Sequence, residues 1–398
     1  MSEAVIVEAV RTPIGKRGGG YTAIHPVELL SAVLRALIER TGVDPAVVDD
    51  HIGGCVSQTG DQALNVARNA WLAAGLPEIV PSTTIDRQCG SSQQAAHFAA
   101  QGVLAGAYDL VVASGVEHMT RVPMGSSTSG GNPFAEAFAA RYDGRLVPQG
   151  ISAELIAHRW RISREVQDDF AFRSHARAAR ATQEGRFRGH LVVVEAPQRA
   201  TPLERDEGIR MEPNRERMRT LEPAFRADAF DELFPGQIDW TVTAGNSSQI
   251  SDGATAMLIA SRETADRLGL RVRARFLSFA VVGVDPVFML TGPIPATGKA
   301  LDRAGLRLED LDAVEINEAF ASVVLAWKRE LGIEDAWFEE HVNPNGGAIA
   351  MGHPLGATGG KLMSDLVAEL ERREGRFGLQ VMCEGGGMAN ATVLERLS

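Results

Sequence analysis

Cysteine is scarce in this 398-residue chain, and the three residues present, Cys55, Cys89 and Cys383, lie far apart with no CxxC spacing. Three such residues make neither a disulfide framework nor a cysteine-built metal cluster, and they point to a reducing compartment. Positive charge is also short: 40 Lys and Arg face 51 Asp and Glu, for a net charge of −11. That balance argues against a nucleic-acid coat or a general binder of anionic membranes, although a local basic patch would still serve an anionic small ligand. No run of about 18 apolar residues suggests a membrane-spanning helix. The first ten residues carry acids, Glu3 and Glu8, where a signal peptide needs bases, and read as a strand. The closing Arg396-Leu397-Ser398 is not the Ser-Lys-Leu peroxisomal address. A cytoplasmic protein is the expectation.

What is present is enough for a large core. A chain of this size buries roughly 75% of its unfolded surface, and at about 100–200 residues per domain it suggests two or three domains. The first segment alternates strand and helix signals. Val5–Val10 reads as a strand, Pro26–Arg40 as a helix opened by proline and closed by Gly42, and Ala63–Ala74 as a second helix. Thr83–Asp86 then reads as a strand, Ser91–Leu104 as a helix and Leu110–Ala113 as a buried strand, which implies an α/β core. The middle differs. Arg121–Gly131 is Ser/Gly-rich, Asn132–Arg188 is helical and Arg-rich, and Arg199–Asp231 is charged and punctuated by proline. It reads as an insertion. The last segment resumes the first pattern: Ala300-Leu301 through Gly305 to Leu311-Asp312 repeats Ala36-Leu37 through Gly42 to Val48-Asp49 at an offset of about 263. The same offset carries Cys89 onto Gly352-His353, and Leu110–Ala113 has a counterpart in Leu379–Met382. An internal duplication interrupted by an insertion follows.

Four residues could carry chemistry. Cys89 ends a strand and opens a helix through Gly90-Ser91-Ser92. A thiol at a helix N-terminus meets free N–H groups and the positive end of the dipole, so its pKa is expected to fall. Absent that setting, a lone cysteine is more often a buried structural residue. His353 stands between Gly352 and Pro354 at another helix start, within a stretch holding six glycines from 343 to 360. Cys383 ends an apolar strand, and the glycines after it, Gly385-Gly386-Gly387, suit a loop whose N–H groups form an anion hole. Glu384 reads as solvated or structural. Asn317 ends the repeated strand and could hold a water or a carbonyl; otherwise it is a turn-former. Cys55 and the other eight histidines read as structural. A thiol, an imidazole, a second thiol and an amide at sheet ends permit covalent acyl transfer.

On these residues the chain resembles the thiolases over essentially its whole length. The motifs are Arg11-Thr12-Pro13-Ile14-Gly15, Gln88-Cys89-Gly90-Ser91, Thr243–Ser248 with Asp252-Gly253-Ala254, Asn317-Glu318-Ala319-Phe320, Gly352-His353-Pro354-Leu355-Gly356 and Cys383–Gly387. Each is weak alone; six in order are specific. The resemblance implies a duplicated thiolase fold, a five-layered αβαβα core: an N-terminal half at 1–121 completed by about 247–272, a loop domain at 122–246 over the active site, and a C-terminal half at 273–398. It implies that Cys89 carries the acyl group, that His353 activates it, and that Cys383 is the general acid/base. One oxyanion hole would use His353 and a water held by Asn317. The other would use the N–H groups of Cys89 and Gly385. Ser248, Ala244, Met289, Ala319 and Phe320 match positions along the pantetheine path. The implied partners are coenzyme A and acyl-CoA as substrates, with no tightly bound cofactor, no metal, no nucleic acid and no membrane, in a homodimer or homotetramer.

Two departures stand out. Ser92-Gln93-Gln94 follows the nucleophile motif where Gly-Leu-Gln is common, and Pro148-Gln149-Gly150 falls where short-chain members often carry His-Met-Gly. These forms look like thiolases of actinobacterial steroid side-chain breakdown, and loss of a His ring could admit a bulkier acyl group. The Arg-rich stretch with Arg210, Arg215, Arg217 and Arg219 could meet CoA phosphates, though a solvated loop is the plainer reading. Two other functions fit part of the pattern. A β-ketoacyl synthase-like enzyme would pair its Cys with two His, or with His and Asn, whereas Cys383 fills that third place here. A non-catalytic acyl-CoA or lipid carrier on the same core would have no need of all four polar groups.

Overall fold

The computed structural model describes residues 3–195 and 202–397; Met1, Ser2, Ser398 and residues 196–201, which include the start of the charged stretch at Arg199, lie outside them. The main strands are β1 Ala4–Arg11, β2 Asp50–Gly54, β3 Ser82–Ile85, β4 Leu110–His118, β5 Ser251–Ser261, β6 Ala274–Gly283, β7 Ala313–Ile316, β8 Phe377–Glu384 and β9 Met388–Arg396. The helices that position the site are α1 Pro26–Thr41, α2 Ser91–Leu104, α3 Gln149–Arg159, α4 Arg164–Gln183, α5 Pro293–Ala304, α6 Ala321–Glu330 and α7 Leu355–Arg373.

The strands follow one path, β3-β2-β4-β5-β1-β6-β9-β8-β7. Its two sides repeat each other. In the first, β2 pairs in parallel with β3 and β4, and β5 pairs antiparallel with β4 and β1. In the second, β7 pairs in parallel with β8, and β9 pairs antiparallel with β8 and β6. The sides meet where Val5 and Ile6 of β1 pair with Arg275 and Ala274 of β6. Local signals repeat too: α1 and α5 each begin with a proline in the first turn and stop at a left-handed glycine, Gly42 at φ 66° and Gly305 at φ 67°. The duplication read from the sequence is therefore a duplication of structure.

α2 and α7 pack on each other, α2 also on β1, β2, β4 and β5 and α7 on strands of both sides, which makes them the middle layer. α1 covers β1, β4 and β5 from outside, and α5 covers β6, β8 and β9, giving five layers. The middle layer is built from small residues: Ala95, Ala96, Ala99 and Ala100 lie buried with Ile52, Val111, Met257, Met363 and Leu366. Alanines let two sheets close on one helix, and their buried neighbours each contribute about 1.5–3 kcal/mol by leaving water. Polar groups on the far face of α2 reach across the layer, where Gln93 Nε2 and His97 Nε2 both lie 2.7 Å from Thr392 Oγ1 of β9.

Among the described residues, no strand of this path lies between His118 and Ser251; helices α3 and α4, shorter helices and loops lie in the interval. This segment is tied to the core by buried charge. The Arg11 guanidinium bonds both oxygens of Asp206, at 2.8 and 3.1 Å, and its Nε bonds Asp365 of α7 at 2.9 Å. No helix among the described residues is long and apolar enough to cross a membrane.

Candidate active site

The N-termini of α2 and α7, equivalent helices of the two halves, carry Cys89 and His353. At the first, β3 ends, Gln88 takes a left-handed backbone at φ 48°, and Gly90 caps the helix. The turn is braced from both sides: Asp86 accepts from Gln88 N–H at 2.6 Å, and Ser91 Oγ accepts from Arg87 N–H at 2.9 Å. A non-glycine residue at φ 48° holds only where its surroundings over-determine it, and such strain gathers at functional sites. A Cβ on Gly90 would run into the Glu384 carboxyl, which would have to move to admit it.

At the second, Gly352 adopts φ 116°, which only glycine takes without strain. The N–H of His353 donates to Ser251 Oγ at 2.6 Å and to Gln249 O at 3.0 Å. Its ring is oriented by Thr358: Nδ1 lies 2.7 Å from Thr358 Oγ1, whose own hydroxyl donates to Pro354 O at 2.8 Å. With its hydrogen spent, Thr358 Oγ1 can only accept from the ring. This assigns the proton to Nδ1 and leaves the Nε2 lone pair free. Burial holds the ring neutral, lowering its pKa to about 4, with a smaller push from Lys361. Glu117, buried at the end of β4, accepts from the N–H groups of Val56, Ser57 and Gly356 and so fixes the start of α7.

The four expected residues are all buried at this junction. Asn317 Nδ2 lies 3.5 Å from His353 Nε2 and 3.9 Å from the Cys383 sulfur, linking base and second thiol. The N–H of Ala319 also reaches that sulfur. The Gly385 N–H and the Gln149 side-chain amide stand on the side of the Cys89 thiolate and oppose the rise in its pKa, whereas Cys383 is close enough that a charge on one opposes a charge on the other. Burial pushes the Cys383 thiol up to about 12.

Two expectations are corrected. The Cys89 thiol was expected below its ordinary range. Instead burial raises it, with Cys383 and Glu384 adding to the rise. Desolvation outweighs the helix end, so the resting pair is neutral thiol and neutral imidazole. Glu384 was expected to be solvated or structural, and it is fully buried. Its carboxyl presses on Gly90 with neither oxygen hydrogen-bonded within the protein, and burial pushes it up to about 9. A stability prediction follows. An unfolded Glu titrates near about 4.3, so between about 4.3 and 9 the native state holds a proton that the unfolded chain has released. That contribution is complete below the unfolded pKa and is lost as pH rises toward 9, at up to about 1.4 kcal/mol per pH unit. Wild type should lose more thermal stability between pH 6 and pH 9 than Glu384→Gln, which cannot titrate. Equal losses in the two proteins would show that Glu384 is not held neutral.

Of the pantetheine positions, Met289, Ala319 and Phe320 share one buried apolar cluster with Cys383. Ser248 is half-buried and its N–H donates to Ala319 O at 2.9 Å; Ala244 is exposed on the same run. At Pro148-Gln149-Gly150 the chain is filled, since the Phe225 ring packs where a Gly150 side chain would stand. Arg215 and Arg219 pair with Asp169 and Glu165 at the surface. A separate arginine-lined cavity of about 550 Å³, with Arg173, Arg177, Arg180, Arg186, Arg372 and Arg373, contains none of the four catalytic candidates. Sequence reasoning missed Gln149, Thr358 and Glu117. The first was noted only as part of the Pro148-Gln149-Gly150 departure from His-Met-Gly, and the other two act only through the fold.

Two buried thiols, a neutral imidazole and nearby N–H groups at paired helix ends are an arrangement able to carry covalent acyl transfer. The comparisons agree. The family profile "Thiolase, N-terminal domain" matches residues 4–263, and "Thiolase, C-terminal domain" matches 270–396. The chain belongs to the thiolase family and is an acyltransferase. It is 48% identical over 405 residues to the steroid 3-ketoacyl-CoA thiolase FadA6 of Mycobacterium tuberculosis, covering 100% of this chain and 95% of that one. It is 45% identical over 402 residues to the 3-ketoacyl-CoA thiolase of Erwinia tasmaniensis, with full coverage of both. The crystal structure of the Bacillus anthracis acetyl-CoA acetyltransferase superimposes with a TM-score of 0.87 at 37% identity, covering 100% of this chain and 99% of that one. These likenesses do not favour the synthase and carrier readings.

Proposed function

We propose that this thiolase cleaves 3-ketoacyl-CoA with coenzyme A, releasing acetyl-CoA and a shortened acyl-CoA, and runs the reverse condensation on the same groups. The observation that carries this reading is the convergence on one junction of Cys89 under the Gly385 N–H with the Cys383–Asn317–His353 chain. His353 Nε2 takes the Cys89 proton as the sulfur attacks C3. The oxyanion on C3 collapses, the C2–C3 bond breaks, and Cys383 protonates the departing enolate carbon to give acetyl-CoA. Cys383 then takes the thiol proton of an incoming CoA, whose sulfur attacks the Cys89 thioester and regenerates the Cys89 thiol with the proton held by His353. The N–H groups of Cys89 and Gly385 stabilise the oxyanion on C3. His353 and a water on Asn317 serve the thioester oxygen of the acetyl-CoA portion. Asn317 Oδ1, buried with no protein partner, is the acceptor left for that water.

Ser248, Ala244, Met289, Ala319 and Phe320 line the pantetheine path in this reading, and residues 122–246 act as a loop domain over the site between halves 1–121 and 273–398. The enzyme is cytoplasmic, uses CoA only as substrate, and assembles as a dimer or tetramer through sheet edges. The substrate is a bulky 3-ketoacyl-CoA of lipid or steroid origin, a reading supported by the likeness to a steroid 3-ketoacyl-CoA thiolase. A panel from acetoacetyl-CoA through long-chain to polycyclic 3-ketoacyl-CoA tests it. The expected result is a kcat/KM at least tenfold higher for the bulky substrates. A preference for acetoacetyl-CoA would sink the substrate assignment and leave the thiolase chemistry standing.

A further inference from the structure

The arginine-lined cavity of about 550 Å³ lies where α4, the short helix at Asp335–His341 and the C-terminal end of α7 meet. It is remote from the reacting atoms. A helix rises about 1.5 Å per residue, so α7 separates Arg373, in its last turn, from the His353 end by about 27 Å. The volume falls within the range of about 300–1,000 Å³ usual for small-molecule sites. Arg173, Arg177 and Arg180 stand four and three residues apart on one face of α4, and Arg186, Arg372 and Arg373 complete the wall.

Charge there does not balance. Six guanidinium groups face the carboxylates of Glu184, Glu339 and Glu340, with Glu369 buried behind the wall, which leaves two positive charges in excess on a chain whose net charge is −11. Glu339 is shared by Arg173 and Arg177, and Glu369 by Arg372 and Arg373. Among the described residues Arg180 makes no hydrogen bond or ion pair. Like charges one turn apart repel on a helix surface, and burial together with Arg173, Arg180 and Arg373 lowers the Arg177 pKa. The helix dipole favours arginines in the last turns of α4 and α7, but Arg173 and Arg177 stand in the body of α4, outside its reach. Neutral acceptors fix several of these groups without cancelling their charge. Arg177 donates to Val342 O at 2.8 Å and to Glu339 O at 2.6 Å, Arg373 to Glu340 O at 2.8 Å, and Arg186 to Asn345 Oδ1 at 2.8 Å. The result is an ordered, positively charged concavity.

We propose that this cavity is a second ligand site, separate from the acyl-transfer centre, and that it binds a small anion bearing a diphosphate. A diphosphate carries at least two negative charges at neutral pH, enough to offset the excess. Guanidinium forks suit it, because each can donate two parallel N–H bonds to phosphate oxygens. The volume also leaves room for a group attached to the diphosphate, so free pyrophosphate and a nucleoside diphosphate share the chemistry that the wall recognises. The site binds and does not react: no bond forms or breaks there.

Calorimetry on the full chain, with CoA at saturation so that its own diphosphate path is filled, tests this. At low salt one pyrophosphate should bind with a Kd below about 1 mM. ADP forms the second arm. Equal affinity for the two means that recognition stops at the diphosphate, and ADP binding at least tenfold tighter means that the nucleoside is held as well; both support the site. The double variant Arg173→Gln/Arg180→Gln should weaken binding at least tenfold with thiolysis kcat/KM within about twofold of wild type. Its fold should survive, because Arg180 has no partner to lose and Glu339 keeps Arg177. Arg262→Gln/Arg267→Gln, which removes the same charge from another helix, should bind pyrophosphate within about twofold of wild type. No binding of either anion overturns the proposal, and so does equal weakening in the two double variants, which would show diffuse attraction to surface charge. Binding that appears only without CoA also overturns it, by placing the anion in the substrate path. If Arg173→Gln/Arg180→Gln fails to fold, Arg180→Gln alone decides, with a weakening of at least threefold expected and an unchanged Kd overturning the site.

Discussion

Cys89→Ser should lower kcat for thiolysis and for condensation by about 10³-fold or more, with CoA affinity by calorimetry within about twofold of wild type. The size of the effect follows from the base available. His353 Nε2 bears no proton, but its other nitrogen leans on a threonine hydroxyl rather than a carboxylate, and burial already lowers its pKa to about 4. In serine hydrolases a buried aspartate stabilises the imidazolium that forms when a hydroxyl is deprotonated. Among the described residues the His353 ring bonds Thr358 and Asn317 and no carboxylate. A neutral imidazole so placed can draw a proton from a thiol, whose reference pKa is about 8.5, once the substrate and the N–H donors stabilise the thiolate. A serine hydroxyl holds its proton far more tightly. In the proposed reading CoA lies along the pantetheine path and away from the sulfur, so binding should survive. Turnover within tenfold of wild type would refute a covalent intermediate on Cys89. A parallel loss of CoA binding would instead mean that the substitution had damaged the fold.

The same neutrality explains why some of the site was legible in the sequence and some was not. Cys89 and His353 could be found because each sits where a strand or loop gives way to a helix through glycine, and because the offset of about 264 put them at equivalent places in a repeat. The structure turns that equivalence into contact: α2 and α7 form the middle layer side by side, so their N-termini fall at one junction. Cys383 and Asn317 were legible as strand ends, and the ends of β7 and β8 lie together because those strands pair in parallel. The electrostatics were not legible. A helix N-terminus argues for a lowered thiol pKa, but the competing cost of burying a charge depends on how completely two sheets and an inserted segment close over the site, which no local motif encodes. Glu384 failed for a related reason. A charged residue ahead of three glycines looks solvated, yet the strand register that points Cys383 into the site turns its neighbour onto Gly90. Gln149 was legible only as a departure from His-Met-Gly, and only long-range packing brings it near Cys89.

Cys383→Ala should separate the two halves of the reaction. Wild type should both cleave 3-ketoacyl-CoA and exchange acetyl groups between acetyl-CoA and Cys89. In the variant, carbon–carbon cleavage and condensation should fall by about 10³-fold or more, while acetylation of Cys89 by acetyl-CoA, read by intact mass, should stay within about tenfold of wild type. The reason lies in the leaving groups. Cleavage expels an enolate carbon, which is strongly basic and needs a proton delivered at C2; condensation needs the same proton removed. The Cys383 thiol, pushed up to about 12, is a weak acid in the resting site and so a strong base once ionised, a fair match for a carbon acid. Acetyl transfer expels CoA thiolate, with a thiol pKa of about 8.5, which departs as an anion or takes its proton from His353. Asn317 remains in place in the variant, because its carboxamide also reaches His353. Loss of both activities together would assign Cys383 to nucleophile activation or to the fold. Retention of cleavage would move the proton at C2 to another group, with Glu384, neutral and buried behind the two sulfurs, next to be tested.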